Sequence, residues 1–174
     1  MPVGSLCTTG TVSALIEELQ FALGEGPCID AHRQDRPVLE PDLVDPHTLR
    51  WPAFSPPVID AGGRAVFGFP LHQGAVHLGA LNLYRDAPGT LSDDQHADAL
   101  VMAALVTQTV LLRQADAPPG QLAAALEEGA DLQAIVHQAS GMVAAQLDIS
   151  VGRALIRLRA YAFGIDRPLR SVVD

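Results

Sequence analysis

The segment ADAPPG at residues 115–120 divides the chain into two stretches of different character. Two prolines followed by a glycine cannot continue a helix, because proline lacks the N–H and its ring clashes with the preceding turn. Before this breaker lie short alternating apolar segments interrupted by Gly and Pro. After it come helix formers. A chain of 174 residues has room for one ordinary domain and a small appendage. We therefore expect a domain over 1–115 and a helical segment over 116–174. With 48% hydrophobic and 18% charged residues, the chain can bury a real core. No apolar run approaches the roughly 18 residues that cross a bilayer. The opening MPVGSLCTTG has neither the basic patch nor the apolar stretch of a signal peptide. The expectation is a cytoplasmic protein with no membrane span.

The first stretch reads as mixed α and β. Residues 3–8 fit a short strand, and residues 11–22 place Val12, Leu15, Ile16 and Leu19 at helical spacing. Gly24 and Gly26 permit a tight turn, and Pro27 suits the first position of a helix carrying Cys28, Ile29 and His32. The prolines around 37–43 mark an edge strand. Residues 51–62 read either as a short helical turn or as a lid-like loop. RAVFGFPL (64–71) and VHLGALNLYR (76–85) form the best hairpin in the sequence, each apolar enough to be covered on both faces. Strict alternation puts His77, Gly79, Leu81 and Leu83 on one face of the second strand and Val76, Leu78, Ala80, Asn82 and Tyr84 on the other.

Ser92 and Gln95 form a capping box, and Asp93 and Asp94 complement the helix dipole at the start of the next helix. Its stripe runs through Ala97, Val101, Ala104, Leu105, Gln108, Leu111 and Leu112. Beyond the breaker, Leu122, Leu126, Ile135, Val136, Ala139, Met142, Val143 and Leu147 share a helix side. A second helix starts after Ser150 with Val151, Ala154, Leu155, Leu158, Ala162 and Phe163, and Gly164 stops it. Pro168 opens a last helical turn.

Net charge is -9, which excludes unspecific attraction to phosphate backbones. The exception is local. Residues 149–174 hold five Arg against Asp166 and Asp174, and every basic residue of the chain is Arg. The guanidinium is a planar fork suited to phosphates and base edges. Cys7 and Cys28 match no zinc spacing, and the histidines are scattered. Two packed thiols, no metal and no cofactor are expected. The pair Asp93 and Asp94 is read as capping charge, not as an acid/base pair.

Two stretches together resemble a known domain pairing. LQFALGEGPCIDA (19–31), RPVLEPDL (36–43), RWPAFSPP (50–57), RAVFGFPL (64–71) and LGALNLYRDAPGTLS (78–92) occur in the order of a GAF domain of the kind fused to ANTAR. HQASGMVAAQLDISVGRALIRLRAYAF followed by DRPLRSVVD resembles ANTAR, through Ala139, Ser140, Gly141, Met142 and Val143 on one helix and Ala154, Leu158 and Arg159 on the next. The match leaves the GAF part truncated at its N-terminus and the ANTAR part truncated at its C-terminus.

The resemblance implies an α+β fold, a GAF-like antiparallel sheet flanked by helices, followed by an all-α ANTAR-like segment. It implies a signal-responsive transcription antitermination regulator, acting as a homodimer on hairpins of nascent RNA. On that reading Arg153, Arg157, Arg159, Arg167 and Arg170 contact RNA, with Ser140 and Gly141 at the close-approach step of the preceding helix. Trp51, Phe54, Phe67, Phe69, Leu71 and Leu83 are candidate lining of a small-ligand pocket, against the plainer reading of a filled core. Some GAF domains reduce oxidised methionine, but their cysteine arrangement is not evident here, so no enzyme activity is expected. The alternative is a ligand-sensing or dimerisation module that binds no RNA.

Overall fold

The computed structural model describes residues 5–45, 50–115, 131–165, 167 and 169–173. It divides into two compact units, one built on Thr8–Ala125 and the other on Leu126–Asp174. The first is α+β, with a three-stranded antiparallel sheet between helices, and the described part of the second is all-α.

In unit 1, helix α1 spans Thr11–Leu23 and α2 spans Pro27–Gln34. Gly10 and Ser13 cap the start of α1: the Ser13 hydroxyl accepts the Gly10 N–H at 2.9 Å and donates to the Gly10 carbonyl at 2.8 Å. Residues 5–8, expected as a strand, carry no strand pairing. Strand β1, Val38–Glu40, is an edge strand as its flanking prolines require. Helix α3, Ser55–Asp60, settles residues 51–62 as a turn leading into a short helix. Strands β2, Ala65–Gln73, and β3, Val76–Arg85, pair around the turn at Gly74. The sheet order is β1-β2-β3. Helix α4, Asp93–Ala115, follows the predicted capping box: Ser92 N–H donates to Gln95 Oε1 at 3.1 Å, and Gln95 N–H to Ser92 Oγ at 3.2 Å.

One register detail corrects the strand reading. The ladder shifts between Leu71 and His72, so Leu71 faces Gly79 while His72 faces His77. An irregularity of this kind moves side chains to the opposite face. Leu78 therefore packs with Leu81 and Leu83, not with Ala80 and Tyr84.

The sheet separates two apolar layers. On one side Ile16, Ala31, Val38, Leu43, Trp51, Phe54, Val58 and Val66 pack together beneath α1, α2 and α3. On the other, Ala65, Phe67, Phe69 and Leu71 meet Ala99 and Ala103 of α4. The α4 row that meets the sheet is Ala99, Ala103 and Thr107, and the stripe expected from spacing is turned outward: Val101 is 60% exposed, Leu105 53% and Leu112 70%. Small alanines let α4 approach the bulky Phe67 and Phe69, while leucines in that row would hold it off. By length and composition α4 is also apolar enough to cross a bilayer, contrary to the expectation that no such segment exists.

Two local contacts hold the α1–α3 layer together. At Gly68 an added β-carbon would lie 2.5 Å from the Pro27 carbonyl oxygen, so the first turn of α2 rests directly on the β2 backbone. Glu25 reaches across from the α1–α2 turn. Its Oε1 accepts the N–H groups of Ala53 and Phe54, each at 2.8 Å, and so fixes the entry to α3.

In unit 2, helix α5 spans Asp131–Leu147, α6 Val151–Gly164 and α7 Arg170–Val173. Ser150 caps α6, its hydroxyl accepting the Arg153 N–H at 3.4 Å. Helices α6 and α7 both pack on α5. The buried row of α5 is Val136, Ser140 and Ala144, and that of α6 is Ala154, Leu155 and Ala162. Met142, Leu147, Val151 and Phe163, expected on the packed sides, are instead exposed. Leu122 and Leu126 lie outside the described residues.

Two substitutions test the α1–α3 layer. Gly68→Ala places a methyl group against immobile backbone and is expected to destabilise unit 1 by about 1–3 kcal/mol, read by urea denaturation. Glu25→Ala strands two N–H donors, one on the buried Phe54, and should cost about 1–3 kcal/mol. Glu25→Gln keeps an acceptor oxygen and is expected to recover most of that loss in the same measurement.

Candidate functional site

The six apolar residues expected to line one pocket do not share a face. Trp51 and Phe54 belong to the layer beneath α1, α2 and α3, with ring centroids 5.8 Å apart in an edge-to-face pair. Phe67, Phe69, Leu71 and Leu83 lie on the α4 side of the sheet. Phe54, Phe67 and Phe69 are fully buried. Alternation along β2 accounts for this, since 67, 69 and 71 all point away from the neighbours of Val66. As a single ligand pocket the set is therefore corrected to core residues of two separate layers.

The polar chemistry of unit 1 gathers on the α1–α2 side. Asp30 on α2 accepts the Trp51 indole N–H at 3.1 Å and pairs with the Arg50 guanidinium at 3.2 Å. Arg50 lies over the Trp51 ring, 5.2 Å from its centroid. Deeper in, Gln20 of α1 is 2% exposed. Its Oε1 accepts the Cys28 N–H at 2.7 Å, and its Nε2 lies 3.5 Å from Glu17 Oε1. Gly26 leaves room for it: at φ +128 an added β-carbon would stand 2.6 Å from Gln20 Cγ.

Glu17 receives a hydrogen bond from the Asn82 side chain, and burial pushes its carboxyl up to about 7. The Asn82 Oδ1 is buried and has no hydrogen-bond partner among the described residues. Burial and the nearby Glu17 charge raise the Cys28 thiol well above its usual range. A thiol so placed is a poor nucleophile. The pattern missed at the sequence level is thus Glu17, Gln20, Cys28 and Asn82. The i, i+3 pairing of Glu17 with Gln20 on an otherwise apolar helix face was the available signal.

A second polar group lies at the far end of the hairpin. The Asp35 carboxylate is 3.5 Å from His72 Nδ1 and 3.3 Å from His77 Nδ1, and the two rings stack with centroids 6.1 Å apart. His32 stands edge-on to His77 at 6.2 Å, and burial lowers its pKa. Among the described residues no group of three or more His, Cys, Asp or Glu is arranged to hold a metal ion.

In unit 2 the predicted RNA residues fall into separate settings. Arg153 and Arg157 lie one turn apart on α6 and are exposed, with Tyr161 a further turn along and 60% exposed. Ile156 is exposed beside them. Arg159 is half-buried, and Arg167 is exposed after the helix. The side chain of Arg170 lies outside the described residues. Ser140, expected with Gly141 among the RNA-binding residues, lies in the core: it is 1% exposed and its hydroxyl donates to the Val136 carbonyl at 2.7 Å. Among the described residues a β-carbon added to Gly141 meets nothing within 4 Å, so none of them requires glycine there.

No protein-family model matches the sequence, and no curated protein is significantly similar to it. Among solved structures, a domain assigned to a two-component sensor histidine kinase from Sinorhizobium meliloti 1021 is similar at TM-score 0.42 and 21% identity, over 47% of this chain and 55% of that one. The type II free methionine-R-sulfoxide reductase from Thermoplasma acidophilum is similar at TM-score 0.39 and 21% identity, over 49% of this chain and 56% of its own. The chain thus spans little more than half the length of each structure that it resembles.

Proposed function

We propose that the chain is a non-catalytic, signal-responsive regulator in which a GAF-type unit 1 governs RNA binding by an ANTAR-type unit 2. The observation that supports RNA contact is the row on α6: Arg153, Arg157 and Tyr161 at successive turns, all exposed. Guanidinium groups one turn apart match the spacing needed to grip a phosphate backbone, and an exposed phenol ring offers a stacking platform for an unpaired base. A solvated helix face has no need of an exposed aromatic in line with two cations. The partner in this reading is a hairpin of nascent RNA, its readout is transcription antitermination, and its setting is the cytoplasm, where such transcripts are made.

The outward row of α4 supports self-association. Leu100, Val101, Met102, Leu105 and Leu112 are each 44% or more exposed on one helix. Their burial against the same helix of a second copy would join two RNA-binding units in one homodimer, able to read paired hairpins. The competing reading, a dimerisation module that binds no RNA, uses the same row and leaves α6 without a partner.

Gel shift with a tandem-hairpin RNA at stated salt separates the two readings. Arg157→Ala is expected to weaken binding about tenfold and to lower the salt slope by about 1, whereas Tyr161→Ala should cost about 1–3 kcal/mol with the slope unchanged. No shift by the intact protein at low salt refutes the RNA reading. In sedimentation experiments Leu105→Glu, which alters only an exposed position, is expected to convert a dimer to a monomer that keeps the same secondary structure. An intact protein that stays monomeric at micromolar concentration refutes self-association.

A further inference from the structure

We propose that Phe163 is a second stacking platform for RNA, set on the far flank of the α6 arginine row from Tyr161, so that α6 takes a strand with two splayed bases and not the paired stem of a hairpin. The platform deepens the RNA reading above and rests on it.

Helical phase puts the two rings on opposite sides of the same face. At 3.6 residues per turn, each step along α6 turns the side-chain direction by about 100°. Arg153 and Arg157 therefore point about 40° apart, and Tyr161 lies about 40° beyond Arg157. Phe163 lies about 80° to the other side of Arg153, and only about 3 Å along the axis from Tyr161. The residues whose directions fall between the rings are Ile156, Ala160, Arg153, Gly164 and Arg157, and all five are exposed. The packed residues Ala154, Leu155 and Ala162 occupy the remaining side.

The charge on this face calls for a partner from outside the chain. Helix α6 carries three arginines and no acidic residue, in a protein of net charge -9. Among the described residues the Arg153 and Arg157 guanidiniums enter no ion pair, although acidic groups are plentiful elsewhere. Phosphates are the anions that a guanidinium fork fits.

The apolar flanks narrow the choice further. Phe163 is 65% exposed and Tyr161 60%, with Ile156 exposed beside the phenyl ring. Phenylalanine offers no hydrogen bond, so what it can add to an anion site is a flat apolar face. A nucleic acid strand joins the two chemistries, with phosphates for the arginines and a base for each ring. Ala160 and Gly164 lie between the flanks and project too little to hold its backbone off. In a paired stem the bases are stacked inside and reach neither ring. Only an unpaired stretch, such as a loop, can use both platforms at once.

Gel shifts with the full chain at several stated salt concentrations test this, comparing a tandem-hairpin RNA with a blunt duplex of the same stem sequences. Phe163 is exposed, so substitutions there spare the packed rows of α5 and α6. Phe163→Leu keeps apolar bulk and removes the π face. It is expected to weaken hairpin binding about tenfold, to keep the salt slope, and to leave duplex binding at the wild-type level. Phe163→Trp retains a π face and should hold the hairpins at least as tightly as the wild type. If Phe163→Leu binds hairpins like the wild type while Arg157→Ala weakens them, the platform is overturned and the RNA reading stands. An equal loss on hairpin and duplex also overturns it. So does a loss matched by altered sedimentation of the Leu variant without RNA, since Phe163 is then a contact between copies. Absence of any shift by the intact protein overturns the RNA reading and the platform with it.

Discussion

The contact between the first turn of α2 and Gly68 of β2 governs the organisation of unit 1. With no side chain at Gly68, the Pro27 carbonyl occupies the space a β-carbon would take. The α2 backbone then rests on the strand itself, and not on a cushion of side chains. Three other elements take their positions from α2. Its Cys28 N–H donates to Gln20 of α1, its Asp30 holds Trp51, and the turn leading into it places Glu25 on the N–H groups that open α3. The layer is a short helix laid on a strand, with its neighbours attached by hydrogen bonds at buried or half-buried ends.

The elements themselves were largely legible in the sequence because their signals are local. Pro27 at a helix start, the Ser92–Gln95 capping box, the hairpin at Gly74 and Ser150 ahead of α6 are each specified within four residues. What stayed hidden depends on distant partners. Alternation along β2 shows that Phe67 and Phe69 share a face, but not that Trp51 lies across the sheet from them. The ladder shift at Leu71/His72 has no mark in the residue types of either strand, so Leu78 was assigned to the wrong layer.

Helix faces misled for a different reason. On α4 nearly every position from Ala99 to Leu112 is apolar, so a period of 3.6 identifies a stripe without choosing which stripe is buried. Size made the choice, with alanines going to the sheet and leucines outward. In unit 2 Ala154 and Ala162 pack together with Leu155, while Phe163 and Tyr161 face solvent. Ser140 fits this pattern: a small residue at the packed row of α5, its hydroxyl returned to the Val136 carbonyl. That bond satisfies a buried hydroxyl at little cost and lets the neighbouring helices approach. At Ser140 the small residue of α5 is therefore a packing device.

The two faces of the sheet differ in what they risk. Among the described residues the α4 side is an apolar cluster of Phe, Leu, Ala and Val, with the His96 ring tilted against Phe69 at 5.4 Å between centroids. The opposite side buries a carboxyl, a thiol and two amides within one connected group. A leucine or methionine in place of Glu17 would fill the same kind of space without desolvating an ionisable group, so the network lowers the stability available to the layer. The Glu17 and Gln20 network breaks local rules of core construction where α1 meets α2. Departures of this sort mark sites where stability has been given up for response. The α4 side carries its polar ring, His96, at the edge of the cluster, whereas the α1 side carries its polar atoms within the layer.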